Sequence, residues 1–220
     1  MYIRPTMKIQ ILISKKSWAN EFKSLIKSKL STFSKNIKIY DHHNKLKKNF
    51  DVNIIFSYFK KIPHSHLKKS KSNLVPHESD LPKGKGMSPL SWQILEGKSK
   101  INFSLIEADI NIDNGKTYYK KKVNIPKNIL FKKIKKIQFS ENIKLIIKFL
   151  KYYDKNKTFP NSVKYRGKSS YYKKRYPKDS ELNINKSIKE QFNLLRIADP
   201  ENYPSFFYKN GKKIILKVEE

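Results

Sequence analysis

Short apolar runs alternate with amphipathic segments along the first half of the chain. Residues 8–13, 37–40, 52–58 and 74–77 are apolar or β-branched runs of strand length. Between the first two runs, Phe22, Leu25, Ile26 and Leu30 recur at helical spacing and predict a helix over 18–30 with these side chains inward. Pro63 opens a short helix before the fourth run. Strands that alternate with helices predict an α/β fold with a mostly parallel sheet.

The second half of the chain continues this pattern and then changes character. Residues 89–95 predict a helix that stops at Gly97, 101–107 and 116–123 predict strands, and 129–152 predict a long helix. A polar segment over 154–180 is expected on the surface. A helix over 188–197 and a hairpin that turns at Asn210-Gly211 follow. We therefore predict a main domain over 7–153 and a small C-terminal extension over 154–220, packed on or near it.

Composition narrows the class of protein. The 220 residues include no cysteine and no apolar run of membrane-spanning length, and no secretory signal is visible, so we expect a cytoplasmic protein without a membrane span. The five histidines are too scattered to predict a metal site. No Gly-x-Gly-x-x-Gly follows the first strand, which argues against a nicotinamide dinucleotide enzyme.

The net charge of +31 has two interpretations, a polyanionic partner such as nucleic acid or a lysine-rich composition without that function. The lysines are spread along the whole chain, which favours the second interpretation.

Two residues stand where catalytic groups are expected in an α/β fold. His77 ends a predicted strand and is followed by a glycine-containing loop, at the edge of the sheet where such folds bind ligands. An imidazole there can accept a proton or donate to an oxyanion. Asp113 follows the next strand beside a turn at Gly115, and a carboxylate can orient an imidazole. The alternatives are an exposed loop histidine and an ordinary turn aspartate.

The motif around these residues resembles the formyltransferase family that uses 10-formyltetrahydrofolate as formyl donor. The shared features are a histidine after a strand, a Ser-x-Leu-Pro loop, a glycine bend, a Pro-x-x-Trp helix and an Asp-x-Gly turn, here His77, Ser79-Asp80-Leu81-Pro82, Gly86, Pro89, Trp92, Gly97 and Asp113-Asn114-Gly115. The resemblance runs over about residues 7–123 and extends into 192–196 and 203–207. It implies a Rossmann-like domain and an N-formyltransferase.

The resemblance also implies roles for individual residues. His77 would take a proton from the attacking amine or stabilise the oxyanion, and Asp113 would hold His77 in its working protonation state. The folate donor would be bordered by residues of three loops, namely Ser79, Asp80, Leu81 and Pro82, then Phe59, Lys60 and Lys61, and finally Asp109, Ile110, Asn111 and Ile112.

One position departs from the family pattern. The family carries an asparagine two residues before the histidine, where it polarises the formyl carbonyl, and this chain has Val75. Asn73 lies on the same strand face but about 13 Å from His77 along an extended strand. Asn114 is the other candidate amide. Either another group supplies the donor or the protein is slow or inactive.

Two acceptor classes follow from the resemblance. Methionyl-tRNA formyltransferases carry a substantial RNA-binding domain, whereas only about 60 residues follow Thr158 here, which is small for such a domain. The sequence of residues 77–86 resembles that of enzymes that formylate amino sugars more closely than that of methionyl-tRNA formyltransferases. We therefore expect a small-molecule amine, a nucleotide-linked amino sugar for surface polysaccharide, as the acceptor, with tRNA as the alternative. An inactive relative, a basic nucleic-acid-binding module and a homodimer are left open.

Overall fold

The computed structural model describes residues 7–218. Its strands are β1 (Ile9–Leu12), β2 (Lys38–Tyr40), β3 (Phe50–Ile55), β4 (Ser70–His77), β5 (Lys85–Gly86), β6 (Lys100–Glu107), β7 (Thr117–Asn124), β8 (Tyr171–Tyr172), β9 (Ser205–Lys209) and β10 (Lys212–Leu216). Its α-helices are α1 (Lys23–Leu30), α2 (His64–Leu67), α3 (Pro89–Leu95), α4 (Phe131–Asn156) and α5 (Ile188–Ile197). Three short 3-10 helices cover Trp18–Phe22, His43–Lys45 and Pro177–Ser180.

A six-stranded sheet in the order β2-β1-β3-β4-β6-β7 forms the centre of the fold. β2, β1, β3 and β4 pair in parallel, whereas β6 is antiparallel to both β4 and β7. The predicted α/β class with a mostly parallel sheet is therefore confirmed. The loop from β6 to β7 covers only residues 108–116, and so short a connection allows antiparallel pairing but no parallel crossover.

The main core lies between the sheet and α1, α3 and α4. Ile9 and Ile11 from β1, Ile54 from β3 and Phe103 from β6 are among its buried residues. Apolar side chains at helical spacing put one face of the predicted long helix, α4, into this core, where Ile134, Ile143, Ile146 and Leu150 are all buried. The burial of these short apolar runs fixes the register of the strands that lead to the candidate site.

The helix predicted over 18–30 is divided in the structure. Ser17 caps a 3-10 turn over Trp18–Phe22, and α1 begins only at Lys23. Leu25 was expected to face inward but is 43% exposed, because the tighter winding of the first turns changes the face that α1 presents to the sheet. Ile26 and Leu30 remain buried as predicted.

Residues of the predicted C-terminal extension pack against the preceding part of the chain. β8 pairs in parallel with β5, and Val163 exchanges backbone hydrogen bonds with Thr117. α5 contacts α3 and α4, and β9 and β10 form the predicted hairpin. The segment over 154–180 was expected only to run over the surface, but it contributes β8. The division at residue 153 itself stays a prediction.

No helix in the described part of the chain combines the length and the apolar character that crossing a membrane requires.

Candidate active site

His77 lies at the carboxyl end of β4 and is 5% exposed, so an exposed loop histidine is the wrong interpretation. Its Nε2 atom is 2.9 Å from the backbone oxygen of Gly84. A carbonyl oxygen can only accept a hydrogen bond, so Nε2 carries the hydrogen and donates it. In the neutral ring the lone pair is therefore on Nδ1.

Asp113 faces that Nδ1 atom. Its Oδ1 is 3.6 Å from His77 Nδ1, and its Oδ2 accepts a hydrogen bond of 2.8 Å from the backbone N–H of Gly86. Asp113 has a φ of 50°, a left-handed conformation that aspartate tolerates better than most residues. A Cβ on Gly115 would lie 1.7 Å from the Glu107 oxygen, so only glycine lets this turn approach β6.

A buried lysine lies beside the pair. Lys85 is 4% exposed, and its Nζ donates a 3.0 Å hydrogen bond to Asn114 Oδ1. The Nζ atom also lies 5.9 Å from the ring centre of Tyr165 and 5.7 Å from that of Tyr171, within cation–π range. The Tyr165 hydroxyl donates to the backbone oxygen of Asp113 at 3.2 Å. Burial raises the pKa of Tyr165, with nearby Asp113 and Asp109 adding to the effect, so this phenol remains a donor at neutral pH.

An open pocket of about 360 Å³ adjoins this cluster and contains part of the predicted folate set. Three predicted residues line it together with Asn114 and Tyr171, namely Lys61, Asn111 and Ile112. Apolar side chains of the same loops face solvent, since Phe59 is 44% and Ile110 51% exposed. Asp109 supports the loop by accepting a hydrogen bond from the Asn111 N–H. Lys60 lies in the same loop as Lys61.

The remaining predicted folate residues belong to a different environment. Leu81 and Pro82 line a second, larger pocket of about 710 Å³ with Lys120 and residues 162–166. Asp80 forms an ion pair of 2.8 Å with Lys120. Ser79 is 1% exposed, and its hydroxyl has no hydrogen-bond partner among residues 7–218. The predicted residues that line a pocket are thus divided between the two, three in the first and two in the second.

Asn73, one of the two amides considered as substitutes at Val75, is engaged in the sheet interior. Its Oδ1 accepts from Asn53 Nδ2 and its Nδ2 donates to the Leu67 oxygen, both at 3.0 Å. Its backbone N–H donates to Glu107 Oε1 at 2.6 Å. Both amide atoms of this 5% exposed side chain are thus bonded within the protein interior, which favours a structural role for Asn73 over the catalytic one considered.

We expect Asn73→Ala to lower the free energy of unfolding by about 1–3 kcal/mol, because the buried amide of Asn53 and the Leu67 carbonyl each lose a partner. Urea denaturation measures this loss, and the exposed Asn124→Ala at the end of β7 is the matched control. Formyl transfer per folded molecule should stay unchanged. A 100-fold fall in kcat at unchanged stability would contradict the structural role.

The sequence analysis missed several residues around the pair. Lys85 was included in the motif only as a loop residue, and Tyr165, Ser170 and Tyr171 lie in the segment expected on the surface. Ser170 Oγ accepts from the Gly84 N–H at 2.9 Å and so helps to hold the loop whose carbonyl fixes the His77 ring. The sequence feature that could have pointed to these residues is the mixture of tyrosines and cations over 165–176.

Comparison with known proteins identifies a family for the chain. The family model described as "Formyl transferase" matches residues 10–148. The "Bifunctional polymyxin resistance protein ArnA" of Wigglesworthia glossinidia brevipalpis is 32% identical over 195 residues, which cover 82% of this chain and 27% of that protein. The methionyl-tRNA formyltransferase of Clostridium beijerinckii is 27% identical over 144 residues, 65% of this chain and 46% of that protein.

The fold also matches solved structures. The structure of methionyl-tRNA formyltransferase from Clostridium thermocellum superposes with a TM-score of 0.74 at 22% identity, over 95% of this chain and 97% of that one. The chain spans between about a quarter and a half of the length of the two curated relatives above. With the family model covering more than half of its residues, the chain belongs to the formyl transferase family.

Proposed function

We propose that the protein is an N-formyltransferase that moves a formyl group from 10-formyltetrahydrofolate to a primary amine. The observation that carries this proposal is the His77–Asp113 pair at the carboxyl edge of the sheet, with Nδ1 and Oδ1 separated by 3.6 Å. A base backed by a carboxylate is what removal of a proton from an attacking amine requires.

The residues around the pair fit a folate donor. The exposed Phe59 and Ile110 side chains offer apolar area for a ring system. Lys61 offers a cation for a carboxylate in the pocket of about 360 Å³. The donor, when bound, supplies a formyl carbon attached to a nitrogen that can leave.

The protein's own contribution to the reaction begins with the His77 ring. The Gly84 carbonyl holds the hydrogen on Nε2, so Nδ1 is the basic atom that takes the proton of the attacking amine. Neutral Nδ1 and the Asp113 carboxylate are both acceptors and make no hydrogen bond. Once Nδ1 is protonated, the two form an ion pair across the same 3.6 Å. Asp113 therefore stabilises the charged ring that the reaction produces.

The acceptor that we propose is a nucleotide-linked amino sugar. The pocket of about 710 Å³ has a volume suited to such a ligand, and its lining includes the cations Lys120, Lys164 and Arg166. Lys120 is paired with Asp80, whereas phosphate groups would find partners in Lys164 and Arg166. The relative at 32% identity is by its name a bifunctional polymyxin resistance protein.

Initiator tRNA is the second candidate acceptor. Other relatives are methionyl-tRNA formyltransferases, and a net charge of +31 favours binding of a polyanion. Binding of RNA through this charge would weaken steeply with added salt, whereas a sugar held in a pocket would depend on salt less.

A panel of acceptors tests the proposal with 10-formyltetrahydrofolate as the donor. We expect turnover with 3-amino or 4-amino nucleotide sugars and at least 100-fold lower kcat/KM with charged initiator tRNA, since specific contacts to a sugar and its phosphates are worth a few kcal/mol. Tetrahydrofolate release measured by absorbance reports the transfer. Turnover with tRNA alone would refute the sugar acceptor, and no transfer to any amine would refute the N-formyltransferase.

A further inference from the structure

We propose that Asn114 donates the hydrogen bond to the carbonyl oxygen of the transferred formyl group, and that Lys85 is the positioning residue that aims the Asn114 amide. This inference rests on the proposed function, because a donor at this place matters only if a carbonyl carbon is attacked there.

Formyl transfer needs such a donor beside the His77–Asp113 pair. The acceptor nitrogen forms a bond to the formyl carbon, the carbonyl electron pair moves onto oxygen, and the amine proton goes to His77 Nδ1. The electron pair then re-forms the carbonyl as the bond to the donor nitrogen breaks, and that nitrogen leaves with its electron pair and takes up a proton. The oxygen carries negative charge in between and is stabilised by a fixed N–H group.

The strand that carries His77 provides no amide for this purpose. The residue two positions before it, on the same face, is Val75, which packs against an apolar cluster that includes Leu12 and Ile55. Asn73 is engaged with Asn53 and Leu67. Asn114 directly follows Asp113 in the chain and lines the pocket of about 360 Å³.

The contact with Lys85 determines which way the Asn114 amide points. A lysine ammonium group has only donors, so the amide atom 3.0 Å from Lys85 Nζ must be oxygen. The NH₂ group of Asn114 then lies on the other side of the amide carbon. No residue within 7–218 accepts a hydrogen bond from that NH₂ group, so its hydrogens are available to a ligand in the pocket that Asn114 lines.

The environment of Lys85 strengthens this arrangement. The side chain is 4% exposed and lies between the rings of Tyr165 and Tyr171, so the ammonium is held in one place. A cation on the oxygen side of an amide draws electrons from its nitrogen and makes the N–H groups better donors. Lys85 therefore both orients the Asn114 donor and polarises it.

Substitution of Asn114 tests the donor. We expect Asn114→Asp, which keeps an oxygen for Lys85 but loses the N–H groups, to lower kcat by about 10²–10³ with the KM for the folate donor nearly unchanged. Asn114→Ala, which adds no charge beside Asp113, should lower kcat by the same factor. The same chemical change at an exposed site of β7, Asn124→Asp, is the control and should keep full activity.

Substitution of Lys85 and Val75 tests the orientation. Lys85→Met should lower kcat as the Asn114 variants do, and Lys85→Arg should keep most of the kcat of the unaltered chain. In an Asn114→Ala background, Lys85→Met should lower kcat little further. Val75→Asn in that background should restore part of the lost rate, because it brings an amide to the strand face of His77. Circular dichroism spectra and thermal midpoints verify that each variant is folded.

Two results would overturn the inference while leaving the proposed function intact. One is full kcat in folded Asn114→Ala, and the other is a loss that appears only in KM, which would make Asn114 a binding residue. Absence of formyl transfer by the unaltered chain with every amine would overturn the proposed function instead, and this inference with it.

Discussion

His77→Ala should lower formyl transfer by about 10²–10⁴ while the protein remains folded, because the variant lacks the group that takes the proton of the attacking amine. The His77 ring is buried, and among residues 7–218 its polar contacts are the Gly84 carbonyl at 2.9 Å and the Asp113 carboxylate at 3.6 Å. The cost to stability should therefore be limited to about one buried hydrogen bond and a small cavity.

The experiment compares kcat at saturating donor and acceptor for the unaltered chain and the variant. His64→Ala is the matched control, since that histidine is exposed at the start of α2. His77→Gln fills more of the space of the imidazole ring, so it separates the loss of the base from the effect of the cavity that alanine leaves. If folded His77→Ala retained activity within threefold of the unaltered chain, the assignment of His77 as the base would be wrong.

The parts of the site that adjoin strand ends could be predicted from the sequence. His77 follows an apolar run, and Asp113 lies in a turn that closes on Gly115, so their elements were identifiable from periodicity and turn residues alone. Because β6 runs antiparallel to β4, strand direction alone does not bring the two together, and the connection over residues 108–116 carries Asp113 back to His77. The spacing of 3.6 Å between the two side chains is a result of packing that no local pattern encodes.

Other parts of the site depend on contacts between distant segments. β5 pairs with β8 through Lys85–Gly86 and Tyr171–Tyr172, and strands of two residues carry no detectable periodicity. A Cβ on Gly86 would lie 2.3 Å from the backbone oxygen of Tyr172, so only glycine at this position of the motif allows β5 to pair with β8. Lys85, a charged residue in a polar loop, belongs to this pairing and is 4% exposed, which its residue type alone does not predict.

The interior role of Asn73 shows a different limit of sequence analysis. Periodicity puts Asn73 and Val75 on the same face as His77, but it does not reveal that Asn53 on the neighbouring strand pairs with Asn73. The parallel register of β3 and β4 brings the two amides together, and the carboxylate of Glu107 completes the network through the Asn73 N–H. Burial raises the pKa of Glu107 even though donors from Ser72 and Asn73 oppose it.

Asp113→Asn should lower kcat by about 10²–10⁴, and the physical reason differs from that for His77→Ala. Asparagine tolerates the left-handed φ of 50° at this position, and its carbonyl oxygen can still accept the hydrogen bond from the Gly86 N–H. Its NH₂ group then faces His77 Nδ1 and donates to the lone pair that has to take the proton. The variant thus blocks the base and removes the charge that would stabilise the protonated ring.

The comparison of Asp113→Asn with His77→Ala distinguishes a coupled pair from two independent residues. If the two act as one unit, the double variant should be about as slow as the slower single variant, because each change already disables proton transfer. Losses that multiply instead would mean that Asp113 acts on a different group. Asp154→Asn near the end of α4 exchanges the same groups outside the site and should retain full kcat, and the thermal midpoint of Asp113→Asn should lie close to that of the unaltered chain.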